Sequence, residues 1–407
     1  MKKIYILFVI GTCFARLQAQ QSLSPAEREL LIKEIRQQVL DSIKAENTVV
    51  TTISDSLQAE KAKPWLGSID LSGYVEAYYM FDINQPQSGN RPSFIYSHNR
   101  HNELNINHAF IKLAYSAPRL RANLALMAGT YANANLAAEP GVLKNIYEAN
   151  AGINLLKKKQ LWLDAGVFAS HIGFESAVSK DCWNLTRSIL ADNSPYYESG
   201  LKLTYSSDNG NFLASALVVN GWQRIQRVAA SSLPSFGWQV QGTIAGKLLL
   251  NSSSFIGTDK PDSSRQMRYF HNFYAIYNPV SQFGLTLGFD VGAEQQSKGS
   301  SKYNMWYSPV LIARVVPTEK LAIAARFEYY SDKSGVIIPT NTPNGFQTFG
   351  YSLNLDVIPF ANAIIRFEGR VFQSKTDEIF EKKGGSFTKF NPFVGFSFAY
   401  SFAHRLK

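Results

Sequence analysis

Two cysteines, five methionines and six histidines among 407 residues leave little material for redox or metal chemistry. Cys13 falls in an N-terminal run that reads as a secretory signal, so Cys182 is the only cysteine expected in the mature chain. That excludes an intrachain disulfide and a cysteine-based zinc cluster there. Charge is also scarce, at 18%, below the roughly one-quarter usual for soluble chains. Loss of Lys2, Lys3 and Arg16 with the signal lowers the formal charge from +10 to +7, and the remaining excess is not clustered. A nucleic-acid surface needs a basic stripe with stacking aromatics, and the aromatics here alternate along strands instead. After the signal, no run approaches the ~18 to 20 apolar residues of a membrane helix. Strands are not excluded by that absence. A closed barrel satisfies its backbone groups between strands and needs only about ten alternating residues per crossing.

What is abundant is aromatic: Tyr 20 and Phe 27, within an apolar share of 45%. The start has Lys2 and Lys3, an apolar run from Ile4 to Phe14, and small Ala19 before the expected cut, giving a signal peptide at 1–19. A lipoprotein anchored through Cys13 is the competing reading, opposed by Thr12 in the place of a small residue. Residues 25–45 read as a helix with Ser24 as N-cap and Pro25 in its first turn. Ile32, Ile35, Val39 and Ile43 share a face of it, and a Thr/Ser-rich linker follows. The expected organisation is signal peptide at 1–19, helix and linker at 20–66, and a barrel at 67–407.

From Ser68 the period becomes two. Val75, Ala77, Tyr79 and Phe81 alternate with Tyr74, Glu76, Tyr78 and Asp82. The last strand places Val394, Phe396, Phe398, Tyr400 and Phe402 on one face and Gly395, Ser397, Ala399 and Ser401 on the other. Between them, apolar positions repeatedly alternate with charged ones. In a dry sandwich core each unpaired ion would cost several kcal/mol, whereas a wet lumen tolerates it. Short connections, such as 116–118, 157–159 and 359–362, alternate with long polar loops, such as 83–102, 171–195 and 374–388. This is the pattern of short periplasmic turns and longer extracellular loops. The fold class predicted is all-β, a transmembrane antiparallel up-and-down barrel of about sixteen strands with a short N-terminal periplasmic helix. Residues 236–257 leave fourteen or eighteen open, since Ala245-Gly246-Lys247 must serve as a turn there. The tail 403–407 is expected to overhang on the periplasmic side.

Several stretches in order carry a family resemblance. They are Gly73-Tyr74-Val75-Glu76-Ala77-Tyr78-Tyr79, Arg91-Pro92, Arg100-His101-Asn102-Glu103, Ser194 to Gly200, Asn220-Gly221-Trp222-Gln223 and Arg326 to Asp332. With these the sequence resembles the OmpL-like outer-membrane β-barrel porins over roughly 67–407. The resemblance implies a barrel in a Gram-negative outer membrane with a porin role, and carries no substrate.

A porin needs a polar constriction and no catalytic group. The expected pore-lining residues are Glu76, Arg119, Arg121, Glu148, Asp164, Glu198, Lys202, Asp290, Arg326, Glu328, Arg366, Glu368 and Arg370. The loop 171–195, with Glu175, Lys180, Asp181 and Arg187, is expected to fold inward and narrow the pore, with a helical turn within 181–190; capping the mouth is the alternative. Signs are mixed, so a ring of one charge does not set selectivity. Arg326 with Glu328, and Glu368 between Arg366 and Arg370, suit a cross-strand ladder. Replacing Arg366 and Arg370 is expected to lower anion preference. The function expected is passive diffusion of small hydrophilic solutes or ions, with lipid and solutes as partners, no nucleic acid, no metal or cofactor, and a homo-oligomer left open. Two rivals stand beside it: a structural or adhesive barrel with a closed lumen, and a barrel-embedded hydrolase. The hydrolase would need a Ser and a His within reach, and neither His108 nor His271 has a serine in a recognisable motif.

Overall fold

The computed structural model describes Gly67–Leu406, together with Lys33 and Gln37, which are helical and exposed. The expected signal peptide and linker lie outside the described residues, as does the 25–45 helix apart from those two positions.

Persistent two-residue alternation produces long strands. In chain order they are β1 (Ser68–Asp82), β2 (Leu104–Ser116), β3 (Leu120–Ala128), β4 (Ile146–Asn154), β5 (Gln160–Ala169) and β6 (Tyr197–Ser206). There follow β7 (Phe212–Val219), β8 (Ser235–Ile244), β9 (Leu248–Gly257), β10 (Arg268–Val280), β11 (Phe283–Gln295) and β12 (Tyr303–Thr318). The set closes with β13 (Leu321–Asp332), β14 (Phe346–Phe360), β15 (Ala363–Ser374), a small loop hairpin β16 (Phe380–Glu381) and β17 (Phe387–Thr388), and β18 (Phe390–Leu406). Leaving aside β16 and β17, each strand pairs with its neighbours in sequence, and β18 pairs with β1, so sixteen antiparallel strands form one closed barrel. Closure matters because an open edge in lipid would leave unpaired backbone groups.

The stretch 236–257 resolves as a hairpin, with Ala245-Gly246-Lys247 as the turn between paired Ile244 and Leu248. Ala245 and Gly246 have φ of 51° and 67°, and the Lys247 amide donates to the Ile244 carbonyl at 3.0 Å. Positive φ at both central residues matches the right-handed twist of the flanking strands. The tail expectation is corrected: 403–406 does not overhang but continues β18, pairing from Ala403 opposite Ser72 to Leu406 opposite Ile69. β1 starts early, so its first residues need these partners, and Arg405 adds a 2.8 Å contact to Asp70.

The outer wall carries the large apolar side chains, among them Leu113, Leu201, Phe289, Phe327, Phe367 and Phe398, all exposed. In lipid those faces are the buried ones. The inner wall is polar at mid-height, but near the loop ends of the strands it turns apolar. Tyr78, Met80, Phe255, Phe270, Trp306, Tyr330, Phe346, Phe372 and Phe393 cluster there with Phe94 and Ile95 of the first loop, Ile189 and Leu190 of the third, Ile338 of the seventh and Phe380 of the eighth. The long loops therefore fold back onto the barrel, and burial of both strand faces at this level explains why the alternation weakens there.

Candidate functional site

The third long loop, 170–196 between β5 and β6, crosses the inside of the barrel. It carries a 3-10 turn at Ser179–Asp181 and a short helix, α1 (Ile189–Asp192), started by Ser188. The helical turn expected within 181–190 begins only at Ile189 and runs past that stretch to Asp192. Residues 183–188 run without helix because their backbone groups bond to the opposite wall rather than to each other.

That wall is β13–β15. Arg326 donates to the Thr186 carbonyl at 2.7 Å and to Glu368 at 3.0 Å. Glu368 accepts the Thr186 amide at 2.6 Å, and Glu328 accepts the Ile189 amide at 2.6 Å. Arg370 donates to the Arg187 carbonyl at 2.7 Å and pairs with Glu328. Arg366 grips both Asp356 oxygens, at 2.8 and 3.0 Å, and donates to the Cys182 carbonyl at 2.9 Å. Asn354 accepts the Leu185 amide at 2.9 Å. The Arg326, Glu368 and Arg366 side chains are fully buried.

The pairs reach from β13 to β15 over β14, which keeps small residues in between. Gly350 stands opposite Glu328 and Ser352 opposite Arg326. A Cβ at Gly350 would lie 2.5 Å from Glu328 Oε1, so only glycine leaves the carboxylate room. The loop is also held at β1, where Glu76 accepts from Ser179 and, at 2.9 Å, from Asn107, with His98 Nε2 at 3.0 Å. At its start, His171 sits between the Glu198 carboxylate and the Ser254 carbonyl, both at 2.8 Å. Both partners accept, so both ring nitrogens donate and the ring is an imidazolium. Burial opposes that charge, but Glu198 and the Ser254 carbonyl outweigh it and raise the His171 pKa above its usual value.

Within the loop, Arg187 is an internal staple, donating to the carbonyls of Ser176, Leu185 and Ala177 at 2.6 to 3.0 Å. The buried Glu175 carboxylate accepts the Ser188 amide at 2.9 Å. Lys180 and Asp181 point elsewhere. They line a space of about 580 Å³ with Ser72, Tyr74, Phe110 and Ser401, and one of about 220 Å³ with Trp183, Arg314 and Asp356.

The opposite wall, β2–β6, is different. Lys112 meets Glu148 at 2.7 Å with side chains 24% and 16% exposed. Arg121 holds Asp164, at 37% against 4% exposure, and lies over the Trp162 ring at 4.3 Å. Lys202 stands over Phe168 at 4.3 Å and is half-buried. Arg119 is exposed at the turn and donates to the Asn154 carbonyl. On β11, Asp290 is buried, bonded to Asn272 at 2.6 Å. The structure thus brings Arg326, Glu328, Arg366, Glu368 and Arg370 together with Glu175 and Arg187. It sets Arg119, Arg121, Glu148, Asp164 and Lys202 apart from them. Lys112 was not among the sequence candidates, although the alternation of β2 already placed it on the charged face.

His271 does have serines nearby, Ser252 Oγ at 3.2 Å and Ser254 Oγ at 3.3 Å. They share the outer wall with Trp238, facing lipid rather than a watered cleft.

Comparison with known proteins adds three findings. A family model described as "Putative beta-barrel porin-2, OmpL-like" matches residues 68–402. None of the curated proteins compared matches the sequence. Among solved structures, the anion-selective porin from Comamonas acidovorans is 11% identical with a TM-score of 0.54, covering 83% of this chain and 100% of that one. The outer membrane channel DcaP of Acinetobacter baumannii is 10% identical with a TM-score of 0.54, covering 83% and 97%. Outer-membrane expressed OmpT of Vibrio cholerae is 10% identical with a TM-score of 0.54, covering 84% and 99%. At such identities the likeness is one of fold.

Proposed function

The chain belongs to the OmpL-like β-barrel porin-2 family of the outer membrane, and we propose that it passes small hydrophilic solutes along the β2–β6 wall, beside the inward third loop. The observation that carries this is the unequal treatment of lumenal charge. On β13–β15 the charges are buried and spent on holding the loop, whereas Lys112, Arg121, Glu148 and Lys202 keep part of their surface free. The expectation that Arg366 and Arg370 set anion preference is accordingly revised. Both are buried and paired, and their substitution would act through the loop. Arg119, Lys112, Arg121 and Lys202 against Glu148 and Asp164 give the open wall two net positive charges, a weak preference for anions. Lys180 and Asp181 complete the constriction from the loop side. The reading involves no catalysis. A signal peptide at 1–19 and a separate segment at 20–66 belong to it, as does a homo-oligomer; a Vibrio cholerae OmpT has been solved in a trimer form.

The rival, a barrel without an open channel, draws on the apolar cluster that fills the loop end of the lumen. Liposome swelling with sugars of graded size decides between them. Flux that falls with solute size is the expected result, and no flux at any size removes the channel.

A further inference from the structure

At the loop end of the barrel a cavity of about 580 Å³ lies between the first, seventh and eighth loops. This is within the ~300 to 1,000 Å³ range of small-molecule sites. Its walls are tied together: the Gln87 amide donates to Glu381 at 3.3 Å, and Asn84 Nδ2 donates to the Phe390 carbonyl at 2.7 Å.

Two buried polar side chains in this wall are only half satisfied. Arg91 is 3% exposed. Its Nη1 donates to the His98 carbonyl at 3.1 Å and its guanidinium lies 3.6 Å over the Phe393 ring. Its Nε and Nη2 have no partner among the described residues. Burial pushes the Arg91 pKa down to about 10, so it remains cationic at neutral pH. Asn391 is 1% exposed and gives its amide hydrogens to both Asp82 oxygens, at 2.9 and 2.7 Å. The carboxylate fixes the amide orientation and leaves Asn391 Oδ1 without a donor among the described residues. Leaving such buried groups without a partner is destabilising. The wall of one cavity therefore holds buried donors and a buried acceptor that lack partners among the described residues.

We infer that this cavity is a binding site for a neutral saccharide. A hydroxyl both donates and accepts, so adjacent hydroxyls on a sugar answer Arg91 and Asn391 together. An anion would satisfy only Arg91, and would face the carboxylates of Asp82 and Glu381 in the same wall. Phe94, Tyr96 and Phe387 supply apolar surface for the C–H face of a sugar ring. The site lies among the loops and does not depend on conduction, so it extends the channel reading without requiring it.

The test is calorimetric titration of the full chain in detergent with maltotriose and raffinose, and with glucuronate and inorganic phosphate as charged probes. A trisaccharide is expected to bind, and Arg91→Met to weaken it about tenfold or more, in line with loss of a hydrogen bond to a charged donor. Phe387 is 54% exposed, so Phe387→Ala should keep the melting temperature while weakening the same binding, and it decides the matter if Arg91→Met fails to fold. Absence of binding by both trisaccharides overturns the inference, as does preference for glucuronate or phosphate, or unchanged affinity in Phe387→Ala. Sugar binding without liposome flux leaves this site standing and removes the channel. Flux without binding does the reverse.

Discussion

The β13–β15 and β2–β6 walls are built from the same residue types in the same alternation, yet they handle charge in opposite ways. On β13–β15, arginines and carboxylates reach over a strand of small residues and bond to loop backbone, and their side chains are essentially sealed. On β2–β6, the pairs Lys112–Glu148 and Arg121–Asp164 stay within their own wall and keep contact with solvent. The difference is what lies above them. Where a loop covers a charge, water is replaced by carbonyls and amides, and the charge becomes a fastening. Where nothing covers it, the charge remains available to a passing solute.

The contrast can be broken most severely at Glu328. Glu328→Ala leaves Arg370 buried without its partner and strips the Ile189 amide of its acceptor. The expected loss is about 3 to 5 kcal/mol, as for other broken buried pairs, read by denaturant unfolding in detergent. A released third loop should also raise single-channel conductance. Gly350→Ala attacks the same clasp sterically by crowding Glu328, with an expected cost of about 1 to 3 kcal/mol; an unchanged unfolding midpoint would show that the carboxylate has room to spare.

The anchoring of the loop at His171 offers a pH test. Because His171 is raised in the folded chain, its contribution is fully present below the ordinary histidine value near 6.5. It is lost as pH rises through the higher folded value. Stability should therefore decline on the alkaline side of about 6.5, and a His171→Gln variant should flatten that decline. The smallest effects on stability belong to the open wall. Lys112→Gln and Glu148→Gln should each change it by less than about 1 kcal/mol, as for partly exposed pairs. Their reversal potentials in planar bilayers should move in opposite directions, Lys112→Gln away from anions and Glu148→Gln towards them. Equal shifts from Arg366→Gln would erase the distinction between the walls.

Much of the barrel was legible because it is written in local pattern. Strand alternation, the alternation of short and long connections, and the pairing of the last strand with the first all follow from period-two chemistry and the need to close an edge in lipid. The inward third loop and the Arg326, Glu328, Arg366, Glu368, Arg370 group were readable as types and faces. Their partners were not. Glu328 meets Arg370, 42 residues away, across a strand whose Gly350 and Ser352 leave room for the side chains above it. The apolar lumen end was missed for a related reason: Tyr78 and Met80 look like polar-face positions until a loop from elsewhere packs on them.

By itself, then, the amino-acid sequence determined the wall: strands, faces and closure, each a consequence of neighbouring residues and of the solvent on either side. Only the tertiary structure decided which lumenal charges meet water, since that depends on where a loop distant in sequence comes to rest and which carbonyls it brings.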